Sequence, residues 1–408
     1  MRKKILVVAY HYFPEEGSCS EKNSRIVKKL VDSGYEVVVL TKGYHNYNNY
    51  DIGNTISIIR TDHNGIFHRK QDVCCKSQTS LMNKSNWLNK LKYNISNSFV
   101  PDSIIDWIPK VNKLYNNNKN IFKNIDIIIS ISSPYSAHIV SHFISKKIGA
   151  PVVMCYGDPW IYEPKRKRGK LRYMIERSLE QKLLNSSAKV LLITEWNKKK
   201  YHQIYGIPYS KIYTYNIGYD KQECLIDKKI ENSGEFKIIY GGSLDMIHRN
   251  PEPFIEAMSR VDGIKAYIYN SDNPYVKRII DKYRVNDKVI LKPIIKSSEF
   301  YNEMYKMDAL LLFGNKTPFQ VPGKVFTYIS TRKGIIYIKN NEYAEDGTEE
   351  ILNKYGHSVT VSNNAMEISE CLKKMKKNNV TNKKINADIF DFHNTMKPIV
   401  EAIEDIEL

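Results

Sequence analysis

The sequence predicts an α/β protein with two parallel-sheet domains, and three observations support that prediction. Short apolar runs rich in β-branched residues alternate with amphipathic stretches along the chain, a pattern typical of parallel strands joined by right-handed helical crossovers. The alternation stops at a polar segment, residues 221–235, and then starts again. A chain of 408 residues is also longer than one ordinary domain of about 150 residues. We therefore expect two such domains facing a cleft.

The composition limits the class of protein. Apolar residues make up 42% and charged residues 26% of the chain, which is the usual globular mixture and excludes a disordered protein. The six cysteines form no C-x-x-C pair, so neither a disulfide framework nor a zinc knuckle is indicated. No window approaches ~20 uninterrupted apolar residues, and no membrane span is predicted. The net charge of +18 fits nucleic acid, an anionic membrane or a phosphorylated substrate, or else a lysine-rich solvated surface.

The first domain begins with a βαβ unit. A β-branched run at Ile5–Ala9 predicts a buried strand. Apolar residues at helical spacing then lead to a stop at Ser33-Gly34, and a second strand is predicted at Glu36–Thr41. The Asn- and Lys-rich residues 62–120, with a helical patch at Trp87–Ile95, indicate a surface insertion. The remaining strands predicted for this domain are Ile56–Arg60, Ile125–Ser130, Val152–Cys155, Val190–Ile193 and Ile212–Tyr215.

The second domain repeats the pattern after the polar linker. Gly241-Gly242-Ser243 follows its first strand as a turn, and a helical face follows from Pro253 to Val261. Its strands are predicted at Phe236–Tyr240, Lys265–Tyr269, Lys288–Leu291, Ala309–Phe313, Gly334–Ile338 and Val359–Val361. The predicted boundaries are 1–220 for the first domain, 221–235 for the linker, 236–390 for the second domain, and 391–408 for a last helix that can return to the first domain.

Candidate site residues are those that follow the strands, because ligands of open parallel sheets bind beyond the carboxyl ends of the strands. His11, Gly17 and Ser18 follow the first strand without forming G-x-G-x-x-G. Gly17 either lets a backbone amide approach a ligand near the next helix or is an ordinary turn glycine.

Two more strand ends of the first domain carry polar side chains. One strand is followed by hydroxyl and imidazole groups: Ser133, Tyr135 and His138. His138 and His142 stand four residues apart on a predicted helix, but no H-E-x-x-H motif is present, and no metal is expected. Asp158 follows the next strand. Its carboxylate either forms an Asx turn or a helix cap, or it holds a sugar hydroxyl or a forming cation in the cleft.

The densest basic run of the chain follows Asp158. It comprises Lys165, Arg166, Lys167, Arg168, Lys170 and Arg172. Such a run is either a solvated loop or a contact for anionic lipid headgroups or pyrophosphate, at about 1 kcal/mol per charge near an anionic surface.

Small residues and cations gather at two strand ends of the second domain. Gly242 and Ser243 are followed by Arg249, just before a predicted helix. Gly323 and Lys324 begin another predicted helix, in which Thr327 shares the face of Lys324. Backbone N–H groups and cations in this pattern suit a diphosphate. The competing interpretation is a surface lysine in a first helical turn.

Taken in order, these segments resemble the retaining GT-B glycosyltransferases of family four, in the bacterial branch that acts in surface-polysaccharide assembly. The matching segments are Ile5–Ser18, Val100–Pro109, Ser132–His138, Asp158–Trp160, Asn216–Asp220, Tyr240–Arg249 and Val321–Tyr328. The resemblance covers nearly the whole chain, and the order of the segments is more specific than any one of them.

The resemblance implies two Rossmann-like domains in the GT-B arrangement. It implies a nucleotide-sugar donor held mostly by the second domain, with UDP as one candidate nucleotide, and an acceptor held mostly by the first. It implies no divalent metal and no cofactor. Arg249 matches a basic residue on the donor diphosphate, and Gly17 matches the glycine loop beside it. The catalytic candidates are then Asp158, Arg249 and Lys324. The donor-binding candidates are Gly17, Ser18, Gly242, Ser243, Gly323, Val325 and Thr327. The acceptor-side candidates are His11, Ser133, Tyr135 and His138.

Two departures from the family pattern concern the donor. Ser243 stands where the family often has a second cation, and Thr327 stands where it usually has a glutamate that grips the donor ribose. The partner glutamate, eight residues earlier, would fall at Phe319. Hydrogen bonds from a neutral threonine are roughly half as strong as those of a charged group. Donor binding is therefore either rearranged around Lys324 or weak.

The resemblance implies a glycosyltransferase that extends a lipid-linked glycan, with polyprenyl diphosphate as one candidate carrier, at the cytoplasmic face of the cell membrane. Capsule, O-antigen and exopolysaccharide biosynthesis are the candidate pathways. One alternative is another GT-B sugar-nucleotide enzyme, such as an epimerase, which needs acid–base carboxylates of which only Asp158 can be placed. A catalytically silent homologue is another. A nucleic-acid-binding protein has no helix-turn-helix, zinc-finger or RNP motif in its favour.

Overall fold

The structure, a computed structural model, describes residues 2–44, 47–48, 50–61, 99–163, 168–221, 234–270, 273–378 and 385–407. These residues form two compact units. Unit 1 holds the described residues up to Ile217 together with those from Phe392 onward, and unit 2 runs from Gly218 to Asp391. The boundaries predicted from sequence, at 220 and 391, fall near these two points. Of the predicted linker, residues 222–233 lie outside the described residues.

The elements alternate along the chain as the sequence pattern predicts. The strands are β1 (Lys4–Ala9), β2 (Glu36–Lys42), β3 (Tyr50–Ile52), β4 (Ile56–Thr61), β5 (Ile127–Ile131), β6 (Val152–Cys155), β7 (Lys189–Leu192), β8 (Ile212–Thr214), β9 (Phe236–Gly241), β10 (Ile264–Tyr269), β11 (Val289–Lys292), β12 (Ala309–Phe313), β13 (Gly334–Lys339) and β14 (Ser358–Ser362). The helices are α1 (Ser18–Asp32), α2 (Trp107–Asn117), α3 (Ser136–Ile148), α4 (Lys170–Ser186), α5 (Glu195–Tyr205), α6 (Glu252–Met258), α7 (Pro274–Tyr283), α8 (Ser297–Tyr305), α9 (Lys324–Ser330), α10 (Gly347–Tyr355), α11 (Ala365–Asn378), α12 (Phe392–Thr395) and α13 (Lys397–Glu404).

Unit 1 is built on an eight-stranded sheet in the order β3-β4-β2-β1-β5-β6-β7-β8. Its strand pairs are parallel except for the antiparallel pair of β3 and β4. The central strand β1 is apolar and buried from Ile5 to Ala9, and it pairs on both sides, with Ile5 opposite Val37 of β2 and Ile127 of β5. The chain leaves β1 outward through β2 and β4, and later continues on the other side through β5. The switch point of the sheet, where ligands bind in folds of this kind, therefore lies between β1 and β5.

Unit 2 is built on a six-stranded parallel sheet in the order β11-β10-β9-β12-β13-β14. Its switch point lies between β9 and β12 by the same reasoning. One core of buried apolar side chains joins the strands to the helices that cover them, and it includes Phe254 of α6, Ile279 of α7 and Leu311 of β12. The sheet thus fixes the segments after β9 and β12 side by side.

The structure differs from the sequence prediction in two places, at β3 and within residues 99–120. The short edge strand β3 was not predicted. Of the predicted insertion 62–120, residues 62–98 lie outside the described residues, including the patch Trp87–Ile95. The rest does not form a surface insertion, because the Trp107 indole of α2 is buried and donates to Thr61 Oγ1 at 2.9 Å. The last helix, α13, packs beside β8 within unit 1, where Tyr213 donates to Asp405 Oδ2 at 2.7 Å.

Candidate functional site

The glycine loop after β9 is the centre of the candidate site in unit 2. Gly242 has φ +152°, a backbone region that favours glycine. A Cβ atom there would lie 2.7 Å from Lys324 Nζ and 2.9 Å from the Tyr240 hydroxyl. The Tyr240 hydroxyl in turn donates to Ser243 O at 3.0 Å. Glycine is therefore needed at position 242, and the main chain of the loop lies against the Lys324 ammonium.

Arg249 lies beside this loop and is held from the neighbouring strand. Its Nε atom donates to Asn315 Oδ1 at 2.9 Å. Asn315 follows β12, is buried, and donates in turn to Gln320 O at 3.2 Å. Burial raises the pKa of Tyr240, and the charge and hydrogen bond of Arg249 oppose that rise. The guanidinium is thus fixed next to Tyr240, at the carboxyl ends of both β9 and β12.

Lys324 brings a second cation to the same loop. It is the first residue of α9, and its ammonium donates to the carbonyl of Gly241. An ammonium has three donors, so Lys324 can bind more than one acceptor at a time. Arg249 and Lys324 thus meet at one glycine loop, although they come from different elements. Two fixed cations beside exposed main chain suit a diphosphate.

The other donor-side candidates of unit 2 differ in their surroundings. Ser243 is exposed, and Thr327 is half-buried on α9. Gly323 precedes α9 in an ordinary helical conformation, and a Cβ there would meet no atom within 4 Å. The Val325 side chain is fully buried in the core, so Val325 presents only main chain to a ligand. Phe319, where the partner glutamate of the family pattern would fall, is also buried.

In unit 1, the loop after β1 leads to Gly17 at the start of α1. Gly17 has φ +126°, so the conformation requires glycine, and Ser18 opens the helix in an exposed position. Within this loop, His11 Nδ1 lies 2.9 Å from Glu15 Oε2 and Lys42 Nζ lies 3.0 Å from Glu15 Oε1. Burial raises the pKa of Glu15, but His11 and Lys42 together outweigh burial and hold that pKa below its usual range. The half-buried His11 is therefore tied to a carboxylate.

The segment after β6 presents Asp158 at the same edge of the sheet. Asp158 is half-buried in a bend. Tyr135 holds the two residues that follow Asp158. Its hydroxyl donates to Pro159 O at 2.8 Å, and its ring stacks on Trp160 with the ring centroids 5.2 Å apart. Tyr135 is therefore a buried residue that stabilises this bend. Ser133, two residues before Tyr135, is half-buried.

His138 lies inside unit 1 rather than at its surface. The side chain is fully buried and its Nδ1 is hydrogen-bonded with Ser130 Oγ. Burial, followed by the charges of His142 and Lys22, lowers its pKa well below the usual value, so the imidazole is neutral. The role of His138 on the acceptor side stays a prediction.

The basic run divides into inward-facing and outward-facing residues. Lys165, Arg166 and Lys167 lie outside the described residues. Arg168 and Arg172 fold inward, with their Nε atoms 2.7 and 2.6 Å from the buried carboxylate of Glu176. Arg168 and Arg172 are therefore structural residues, and the prediction that they bind a membrane is wrong. Lys170 is exposed.

Two residues near these loops were missed by sequence reasoning. Asn315 carries no motif, so its contact with Arg249 has no sequence signal. Lys22 of α1 does have one, because it stands four residues before the buried Ile26, on the apolar face of the helix. Its ammonium donates to Ser132 O at 2.7 Å. A lysine on an apolar helix face is a candidate for a buried cation.

Comparison with known proteins shows the fold. No family model and no curated protein matches the chain. Sucrose-phosphate synthase from Thermosynechococcus elongatus matches with a TM-score of 0.64 at 10% identity, over 99% of this chain and 94% of that one. Anabaena HepE in complex with UDP and glucose matches with a TM-score of 0.61 at 11% identity, over 100% of both chains. A glycosyltransferase from Rickettsia africae matches at 0.60 and 14% identity, over 100% and 95%. The chain has the GT-B fold.

Within this GT-B chain, the candidate residues collect at the switch point of each sheet. Among the described residues, no group of three or more His, Cys, Asp or Glu side chains is placed to hold a metal ion. His142, one of the two histidines at chelating spacing, points its ring nitrogens at the carbonyls of His138 and Leu183, at 2.8 and 3.1 Å. No helix in the described part of the chain has the length and apolar character needed to cross a bilayer.

Proposed function

We propose that the chain is a glycosyltransferase that moves a sugar from a nucleotide-sugar donor to a glycan acceptor, without a divalent metal and with retention of the anomeric configuration. One observation carries the proposal. Two cations, Arg249 and Lys324, are fixed at the glycine loop of unit 2, at the switch point of its sheet. A donor diphosphate is the ligand that this charge and this backbone suit.

The chemistry follows from where charge develops. Negative charge grows on the diphosphate as the bond between the sugar and the phosphate oxygen breaks, and preorganised cations aimed at that charge lower the barrier. Asn315 orients the Arg249 guanidinium in advance, and the Gly241 carbonyl does the same for Lys324. In the proposed front-face reaction the departing phosphate helps to accept the proton of the acceptor hydroxyl. Asp158 would stabilise the positive charge that grows on the sugar.

UDP is the first nucleotide to test. HepE was solved with UDP, with UDP and glucose, and with UDP-glucose, and S. aureus MnaA was solved with UDP. On the donor side, the exposed Ser243 and the half-buried Thr327 would replace charged groups with hydroxyls. We therefore expect the diphosphate, through Arg249 and Lys324, to contribute most of the donor affinity.

The acceptor would bind to unit 1, along the carboxyl edge formed by β1, β5 and β6. Candidates there are His11, Ser133 and Asp158. A lipid-linked glycan fits the proposal, because the similar structures include WaaG, a glycosyltransferase involved in lipopolysaccharide biosynthesis, with a TM-score of 0.54, and the lipopolysaccharide outer core galactosyltransferase WaaB, at 0.59. Polyprenyl diphosphate is the carrier to test, in capsule, O-antigen or exopolysaccharide synthesis.

A lipid-linked acceptor requires contact with a membrane, and one face of α4 offers it. Leu171, Met174 and Ile175 are 73%, 66% and 48% exposed, and their spacing places them on one side of the helix. Lys170 and Arg177, both exposed, flank this apolar face. Apolar side chains with flanking cations suit the surface of an anionic bilayer. We assign peripheral binding at the cytoplasmic face of the membrane to this apolar face, in place of Arg168 and Arg172.

Two experiments test the proposed function in sequence. Thermal unfolding is followed with UDP, GDP, dTDP, CMP and NAD at millimolar concentration, where a ligand at 100 times its Kd stabilises by about 2.7 kcal/mol. We expect one nucleoside diphosphate to raise Tm and NAD to leave it unchanged. The matching radiolabelled nucleotide-sugars are then incubated with a bacterial lipid extract, and label is counted in the organic phase.

The outcomes separate the candidate functions. Transfer of label to lipid supports the glycosyltransferase. An epimerised nucleotide-sugar formed without acceptor would replace it with an epimerase. Binding of a nucleotide-sugar with neither reaction would indicate a catalytically silent homologue.

A further inference from the structure

Two large aromatic side chains lie exposed and in contact at the carboxyl edge of the unit 1 sheet. Phe13, after β1, is 55% exposed, and Tyr47, after β2, is 43% exposed. Their rings meet edge to face, with the centroids 5.9 Å apart. The ring of Tyr44 extends the pair, with its centroid 6.2 Å from that of Tyr47. A single exposed ring is ordinary, but adjoining rings at the ligand-binding edge of a sheet mark a contact surface.

The turn that carries Phe13 is held in place although the ring is exposed. The Glu15 amide donates to Tyr12 O at 3.1 Å, which closes the turn and puts Phe13 at its tip. The Glu15 carboxylate lies 3.0 Å from the ammonium of Lys42, the last residue of β2. The loop after β1 is therefore tied to the strand that leads to Tyr47.

Tyr47 is fixed by the buried Arg60 of β4. Arg60 Nη1 donates to Asn48 O at 2.9 Å, and the guanidinium carbon lies 5.5 Å from the centroid of the Tyr47 ring. In the described part of the chain, Nε and Nη2 of Arg60 have no hydrogen-bond partner, so the electron-rich face of Tyr47 compensates part of the buried charge. This contact sets the orientation of the Tyr47 ring and leaves the exposed part of the ring for a ligand.

A sugar ring has the chemistry that this surface recognises. A pyranose presents C–H groups on its ring face and hydroxyl groups around its rim, and the negative face of an aromatic ring attracts the C–H hydrogens. The rim needs hydrogen-bonding partners, and the loop that carries Phe13 supplies the half-buried His11 and Glu15. His11 and Lys42 hold the pKa of Glu15 below its usual range against the effect of burial, so Glu15 is an ionised acceptor. Aromatic surface beside a few placed polar groups is typical of small-ligand sites.

We propose that Phe13 and Tyr47 form a stacking subsite for a sugar ring of the acceptor glycan. The two residues follow β1 and β2, whereas the switch point of the sheet lies on the other side of β1, towards β5. The subsite therefore extends the acceptor site away from the reacting groups, and it selects acceptors by a sugar residue that does not react. The assignment to the acceptor rests on the proposed function, whereas the binding of a sugar ring to these side chains does not.

Saturation-transfer-difference NMR on the full chain tests the subsite. The probes are the methyl glycosides of glucose, galactose and N-acetylglucosamine. We expect one of them to receive saturation mainly on the C–H hydrogens of one ring face. Phe13→Ala and Tyr47→Ala should each weaken its binding at least about fivefold, the lower end of the effect of removing an aromatic ring on which a nucleobase stacks. Phe13→Trp should retain binding, because it keeps an aromatic face, whereas Phe13→Leu should bind as weakly as Phe13→Ala.

Tyr209→Ala is the matched control. Tyr209 is an aromatic residue of unit 1 that is 46% exposed, but it precedes β8 and so lies at the amino edge of the same sheet. This variant should bind the glycoside like wild type. Urea unfolding checks that each variant is folded, and Phe13→Ala and Tyr47→Ala test the subsite independently of each other.

The other outcomes overturn the proposal or reassign the subsite. Absence of glycoside binding by wild type, or equal binding by wild type and both alanine variants, would exclude a stacking subsite. Calorimetric titration of UDP and UDP-glucose separates the acceptor from the donor, and we expect Phe13→Ala to bind both like wild type. Loss of affinity for UDP-glucose alone would assign the rings to the donor sugar, and loss for UDP as well would assign them to the nucleotide. Failure of the proposed function would show separately, as glycoside binding that depends on Phe13 without sugar transfer.

Discussion

The carboxylate of Glu176 holds together the segment that connects β6 to α4. It is fully buried and accepts from Arg168 Nε at 2.7 Å, from Arg172 Nε at 2.6 Å and from the Trp160 indole at 3.3 Å. The same two arginines donate to main chain, Arg168 to Trp160 O and Arg172 to Phe99 O, both at 2.7 Å. One carboxylate thus positions two guanidinium groups and the bend that presents Asp158.

Replacing Glu176 with Gln removes the carboxylate charge that two nearly buried guanidinium groups share. Their side chains are only 6% and 16% exposed, so solvent cannot take over the missing charge. Breaking a buried ion pair costs about 3–5 kcal/mol. Glu256→Gln is the matched control, because Glu256 also pairs with an arginine four residues away, but that pair is 29% and 45% exposed. A surface pair of this kind contributes about 0.3–0.5 kcal/mol.

Urea unfolding followed by tryptophan fluorescence measures the difference. The residues of unit 2 from Gly218 to Asp391 include no tryptophan, so the signal reports unit 1. With a slope of about 3 kcal/mol/M, a loss of about 3 kcal/mol lowers the midpoint by about 1 M urea. Glu256→Gln should leave this transition unchanged. A Glu176→Gln midpoint within experimental error of the wild-type midpoint would refute the account of this ion cluster.

Three further predictions concern the glycine loop, a buried carboxyl and the membrane. Gly242→Ala should weaken UDP binding, measured by calorimetry, at least tenfold, because its Cβ would collide with Lys324 and Tyr240. Gly323→Ala, whose Cβ would meet open space, should leave the free energy of unfolding, measured by urea titration, unchanged. Burial raises the pKa of Glu180 to about 7 from 4.5, against hydrogen bonds from Tyr205, Tyr201 and the Ile161 amide. A carboxyl whose pKa rises on folding favours the folded state only while it is protonated. The free energy of unfolding of unit 1 should therefore fall as the pH rises from about 4.5 to about 7. Glu180→Gln should lose this pH dependence in urea titrations. Replacing Leu171, Met174 and Ile175 with Ser should abolish flotation with anionic vesicles. Met366→Ser, at a similarly exposed site of unit 2, should float like wild type. Flotation of the triple variant equal to that of wild type would exclude this face of α4 as the membrane contact.

The fold was largely predictable because most strands of both sheets are runs of buried apolar residues. Each predicted strand is present to within two residues, and β1 illustrates why: every residue from Ile5 to Ala9 is apolar and fully buried. β3 could not be predicted in this way, because all three of its residues are exposed. The helix at Trp107–Asn117 was assigned to an insertion because residues 62–120 are rich in Asn and Lys, and the structure buries only its Trp107 and Val111.

The candidate site was predictable where it rests on glycines and cations at strand ends, as at Gly242, Arg249 and Lys324. It was not predictable where long-range packing decides which way a charged side chain points. Arg168 and Arg172 were interpreted as exposed cations, yet a buried glutamate four residues beyond Arg172 draws both of them inward. Helical spacing marks Lys22 as a candidate buried cation, but the contacts of Lys22 with Ser132 and of Asn315 with Arg249 span more than 60 residues, and local spacing does not encode them.

Calorimetric titration of UDP into wild type, Arg249→Ala and Arg260→Ala tests the central claim most directly. Arg260 is a matched control, because it is an arginine of the same unit in an exposed ion pair with Glu256. We expect Arg249→Ala to bind UDP at least about tenfold more weakly, since hydrogen bonds to charged groups contribute about 1.5–3 kcal/mol, and Arg260→Ala to bind like wild type. UDP binding by wild type that is unchanged in Arg249→Ala would contradict a diphosphate site at the glycine loop.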